Sequence, residues 1–112
     1  MNGFPEYRHF VSFCFRYKKT KQILKEGRFD PTSLIDTEIK KRLTEEIKLV
    51  DDVFKQLKQK DEKLAEIMYL KLIEKQPLRK IELNSSVDMS KRQVITKYPE
   101  RNWESYYNEL FG

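Results

Sequence analysis

The residues best suited to recognition chemistry lie between Glu82 and Lys97, where the chain reads Glu82-Leu83-Asn84-Ser85-Ser86-Val87-Asp88-Met89-Ser90-Lys91-Arg92-Gln93-Val94-Ile95-Thr96-Lys97. Arg and Lys donate to guanine O6 and N7, and Gln pairs with adenine. Ser90, Lys91, Arg92, Gln93, Thr96 and Lys97 are therefore a set able to read base edges in a major groove. Arg79, Lys80 and Arg101 flank them as candidate phosphate contacts. Ser90 with Gln93 three residues on is a capping box, which starts a helix at Lys91, and Pro99 ends it near Tyr98. The apolar positions Leu83, Val87, Met89 and Val94 suit two short helices pinned across each other by a tight turn, a helix-turn-helix.

Other chemistries find no such set. His9 and Cys14 are five residues apart, off the spacing that puts two ligands on one helical face, and they are the chain's one histidine and one cysteine. No disulfide and no four-ligand Cys/His zinc site can form within one chain, and the usage fits a reducing setting. Three glycines, Gly3, Gly27 and Gly112, leave no Gly-rich phosphate loop or dinucleotide fingerprint. The doublets Glu45-Glu46 and Asp51-Asp52 are interleaved with Lys40, Lys41, Arg42, Lys48 and Lys55, so they read as ion-pair partners on a solvated face. Ser85, Ser86 and Ser90 have no nearby base to activate them. The expectation is a protein without catalysis, cofactor or metal.

These candidates must be held by helices. Tyr7, Phe10, Cys14, Tyr17 and Leu24 recur at helical spacing over Pro5 to Glu26, broadened by Val11, Phe13 and Phe15, with Gly27 suited to a C′ position. Such a broad stripe suits core, then a self-association surface; its composition also fits, less cleanly, a helix lying on a membrane surface. Phe29-Asp30-Pro31 reads as a turn. Asp36 then caps a long helix over 37–59, with a buried row at Ile39, Leu43, Ile47, Val50, Phe54 and Leu57. Asp61 caps a third helix from Glu62 to Lys75 carrying Leu64, Ile67, Met68 and Ile73. Pro77 opens a short helix to Asn84, and a last amphipathic helix runs from Glu100 to Phe111 with Trp103, Tyr106, Tyr107 and Leu110.

The chain is 112 residues long with a formal charge of +5 and 37% charged residues. Its 31 Leu, Ile, Val and Phe residues suffice for one helix-lined core. Residues 1–28 carry seven basic and two acidic groups, residues 29–74 nine and eleven, and residues 75–112 seven and five, so both ends are basic. No stretch approaches the ~18–20 apolar residues of a membrane span, and no export signal is visible.

Residues 62–112 resemble the sigma-factor region-4 helix-turn-helix, and more closely the C-terminal half of small phage late-gene regulators of the RinA and ArpU type. The resemblance rests on Tyr69-Leu70, then Glu82-Leu83-Asn84, Val87-Asp88-Met89-Ser90 and Gln93-Val94, with Leu110-Phe111-Gly112 closing the chain. Asn84 stands where the family pattern has Ala and Asp88 where it has Gly; Asp tolerates a left-handed turn better than most residues. The expectation is an all-α protein with a helical region over 1–60, a hairpin that packs on the rest or mediates dimer formation, and a helix-turn-helix module over 61–112. The resemblance implies a DNA-binding transcriptional regulator that activates phage late or packaging genes in the bacterial cytoplasm. Its partners would be double-stranded DNA, RNA polymerase and, through the N-terminal aromatic helix, a second copy. Two other readings are a protein-interaction module docking on RNA polymerase or another regulator, and a phage DNA-packaging subunit.

Overall fold

The computed structural model describes residues 4–77 and 96–111, and its regular structure is helical throughout, as the periodicity predicts. The helices are α1 (Tyr7–Phe15), α2 (Tyr17–Glu26), α3 (Leu34–Lys60), α4 (Glu62–Leu72) and, after a 3-10 turn at Glu100–Asn102, α5 (Trp103–Phe111). No strand occurs among the described residues, and no helix there is long and apolar enough to cross a membrane. The short helix expected after Pro77, the turn, and the start of the helix expected at Lys91 lie outside the described residues.

The single helix expected over 5–26 is two. Arg16, at φ −103° and ψ 9°, leaves helical geometry for one residue. Gly27 does not adopt the left-handed conformation expected of it: it sits at φ −64°, ψ 138°. Its missing side chain matters for space instead, because a Cβ there would run into the Ile23 carbonyl oxygen and the Phe29 ring.

Helix α3 begins three residues before the expected start. Ser33, not Asp36, is its N-cap, accepting a hydrogen bond from the Asp36 amide at 3.3 Å. Asp36 sits three residues inside and turns back to accept from the Asp30 amide at 3.0 Å, which ties the preceding loop to the first turn of the helix. Asp61 caps α4 as expected, accepting from the Leu64 amide at 3.1 Å. That helix ends at Leu72 rather than Lys75 because its last turn widens: the amides of Ile73 and Glu74 both donate to the Tyr69 carbonyl, and Gln76 donates to that of Leu70. Lys75 then takes the left-handed position, at φ 58°, that glycine more often fills.

The buried row of α3 is Glu46, Val50, Val53 and Leu57, turned from the expected one. Ile47 and Phe54 are only partly buried and Ile39 is 45% exposed. For Ile39 the reason is length. At 1.5 Å per residue α3 runs about 40 Å, whereas α4 folds back for only about 16 Å and covers only the C-terminal part.

One hydrophobic cluster joins the described residues across the expected boundary at residue 60. Phe10 of α1 lies between Phe54 of α3 (ring centroids 5.4 Å apart) and Tyr107 of α5 (5.2 Å, stacked at 21°). Tyr107 also packs on Phe111 at 4.8 Å, and its hydroxyl donates to the Pro5 carbonyl at 2.5 Å. Trp103, Leu57, Ile67, Met68 and Val53 fill the interior beneath. The N-terminal stripe is thus core at Phe10, Cys14 and Tyr17, while Phe15 is 69% exposed. Replacing Phe10 with Ala is expected to cost about 3–5 kcal/mol in urea unfolding, whereas Phe15→Ala should stay within about 0.5 kcal/mol.

Candidate nucleic-acid interface

Of the residues expected to read bases, Thr96 and Lys97 are described; both are helical and exposed. Arg101, expected on a phosphate, is exposed in the 3-10 turn. Ser90, Lys91, Arg92, Gln93, Arg79 and Lys80 lie outside the described residues.

What the described residues establish is how the end of this segment is fixed. The Tyr98 hydroxyl donates to Asp61, at 2.9 Å to Oδ2 and 3.2 Å to Oδ1. The Trp103 indole N–H donates to the Tyr98 carbonyl at 2.9 Å, and the Tyr106 hydroxyl donates to the Lys97 carbonyl at 3.4 Å. The Tyr98 and Tyr106 rings meet edge to face, with centroids 6.2 Å apart. Asp61 thus serves two elements, capping α4 through Oδ1 and anchoring Tyr98 through both oxygens. With the backbone turned inward at Tyr98, the preceding turn is left to solvent, and the Lys97 ammonium lies 5.6 Å from the Tyr98 ring centroid.

A second basic surface was not among the sequence candidates. Helix α2 has one acidic residue, Glu26, and it accepts from Gln22 rather than from a lysine. Lys18, Lys21 and Lys25, spaced three and four apart, share a face of α2. Lys18 pairs with Glu74 at 2.6 Å, which ties the start of the row to the end of α4, where the chain leads into residues 78–95. Beside it, the Lys75 ammonium lies 4.3 Å from the Phe15 ring centroid. No carboxylate pairs with Lys21, Lys25 or Arg28, all exposed, among the described residues.

This row is held by two acids that the sequence placed on a wet face. Glu46 is 8% exposed and receives both Nε (2.6 Å) and Nη2 (3.0 Å) of Arg16. Asp51 accepts from the Tyr17 hydroxyl at 2.5 Å. Glu46 corrects the expectation of a solvated face, whereas Asp51 is exposed as expected but pairs with Tyr17 rather than with a lysine of its own helix; together these carboxylates hold α2 against α3. The signal was present in the spacing of Glu46, Val50, Val53 and Leu57, a core row with an acid at its head.

Cys14 is buried, and that burial drives its thiol far above the ordinary range, so it is a small core hydrophobe. Among the described residues no group of three His, Cys, Asp or Glu side chains is placed to hold a metal ion. Comparison with protein-family models, with curated proteins and with solved structures yields no match.

Two measurements probe this anchoring. Asp61→Ala removes the α4 cap and the Tyr98 acceptor together and is expected to cost about 2–3 kcal/mol, while Asp61→Asn, which keeps one carbonyl oxygen for the Leu64 amide and loses the second acceptor, should cost less in the same urea titration. Tyr98 is pushed up to about 12, chiefly by burial and then by its bond to Asp61; burial also raises Tyr7 and Tyr107 to about 12. The folded state therefore holds protons that the unfolded chain loses near pH 10. This contribution to stability is full below about pH 10 and is lost as pH rises toward 12. Urea midpoints should fall across that window, together with a delayed rise in tyrosinate absorbance.

Proposed function

We propose that this protein binds double-stranded DNA and regulates transcription through a helix-turn-helix module over residues 61–112, activating late or packaging genes in the bacterial cytoplasm like the phage regulators it resembles. In this reading Ser90, Lys91, Arg92, Gln93, Thr96 and Lys97 meet base edges, and Arg79, Lys80 and Arg101 meet phosphates.

The observation that carries the reading is the set Lys21, Lys25 and Arg28, exposed and paired with no carboxylate among the described residues, in line with Lys18, which Glu74 ties to the chain just past α4. Like charges three and four residues apart destabilise a helix; Glu74 relieves Lys18, but no carboxylate among the described residues pairs with Lys21, Lys25 or, just past the helix, Arg28. A polyanion would. Its backbone accepts several cations at once and releases counterions as it does so. The outer face of α2 offers no apolar run to enter a lipid surface: beside the lysines lie Lys19, Gln22 and Glu26 with Ile23 as a single half-exposed apolar residue.

A second reading, docking on RNA polymerase or another regulator, draws on a different observation. Leu34, Ile35 and Ile39 stand bare at the start of α3. Dimer formation through the N-terminal aromatic helix draws no such support, because Phe10, Cys14 and Tyr17 are occupied inside the protomer.

Fluorescence anisotropy with a random duplex and a duplex from beside the gene, at about 50 and 200 mM salt, tests the DNA reading. Lys21→Ala/Lys25→Ala/Arg28→Ala is expected to reduce the log–log salt slope by about 2–3 on both duplexes. Arg92→Ala should weaken the preferred duplex by about tenfold and the random one less. No binding to either duplex at low salt overturns the proposal and favours the protein-docking reading.

A further inference from the structure

The core-facing row of α3 does not stop where the core stops. Counting back from Leu57, Val53, Val50 and Glu46 in steps of three and four leads to Arg42, Ile39 and Ile35. From Glu46 onward the row is covered by the chain's own helices. Ahead of it, Ile35 is 72% exposed, and its neighbour Leu34 is 83% exposed. These residues, with Ile39, Glu38 and Arg42, line one shallow groove on the first turns of the helix. Single apolar residues on a surface are ordinary; three within two turns, on a row of core spacing, form a seam without its partner.

The charges on the groove say what fits. Glu38 and Arg42 lie one turn apart. A second copy of the same helix, laid antiparallel, presents its Arg42 to Glu38 and its Glu38 to Arg42, with the twofold axis level with residue 40. That register brings Ile39 of one copy beside Ile39 of the other, with Ile35 and Leu34 closing the ends. A parallel copy in register would instead set Glu38 on Glu38 and Arg42 on Arg42. We infer that the start of α3 is a self-association surface at which two copies of this chain pair antiparallel about a twofold axis. The apolar residues supply the attraction, and the exposed charges fix direction and register. The inference stands apart from the DNA reading, since it uses neither α2 nor residues 78–97.

Sedimentation velocity on the full chain over about 5–500 µM tests it. The expected result is a reversible monomer–dimer equilibrium whose midpoint moves at least about tenfold higher in concentration on Ile39→Glu. Arg42→Glu alone should weaken the dimer, and E38R/R42E should restore it, because the exchange rebuilds both pairs across the axis. Circular dichroism at each step separates loss of pairing from loss of helix. A chain monomeric over the whole range overturns the inference and assigns the seam to a different protein. A dimer indifferent to Ile39→Glu places the interface elsewhere, and failure of the double exchange to rescue Arg42→Glu overturns the antiparallel register.

Discussion

The fold depends on the stacking of Phe10 against Tyr107. Neither α1 nor α5 is long enough to stand alone, since each spans nine residues, short of the length at which an isolated helix holds in water. Each is stabilised by the other and by Phe54, Trp103 and Phe111 around them. The bond from the Tyr107 hydroxyl to the Pro5 carbonyl fixes the angle of this contact. Everything the chain presents to a partner is carried on the frame so closed.

Within that frame polar groups set positions more than they add cohesion. A carboxylate taken out of water is expensive, and Glu46 is tolerable because two Arg16 nitrogens meet it in a fork. That pair, with Tyr17 on Asp51, determines which side of α2 faces inward and so which side carries the lysines. At the other end Asp61 couples the start of α4 to Tyr98. The basic row on α2 and the exposed Thr96-Lys97 turn are thus each referred to the same pair of central helices.

Helix class and several helix ends were legible because periodicity and caps are local: Asp61, Pro99 and the run from Glu100 to Phe111 are read from a few adjacent residues. What the sequence hid is relational. Rows 39-43-47-50-54-57 and 46-50-53-57 interleave on one helix, and only the neighbours decide which of them is buried. Glu46 looks like a solvated acid until Arg16 arrives from thirty residues away, and the exposed Asp51 finds Tyr17 from still farther. Ser33 was passed over for Asp36 because both are good caps, and the loop at Asp30 decides between them. The lysines of α2 were counted as net charge, but that Lys18 finds a carboxylate and Lys21 and Lys25 do not is a property of the folded chain alone. Most of the set assigned to base reading lies between Pro77 and Thr96, beyond the described residues, so it rests on the sequence pattern.

The separation of Phe10 from Tyr107 along the chain also orders assembly in time. Helices α3 and α4 are joined by the single residue Asp61, so their contact closes a short loop and loses little chain entropy. The contact between the two ends must close almost the whole chain before it gains anything. The α3–α4 hairpin is accordingly the piece suited to form first and persist longest, with α1 and α5 arriving on it together. Local opening would run in reverse, freeing the two ends as one cooperative unit while the long central helix and its hairpin partner stay in place.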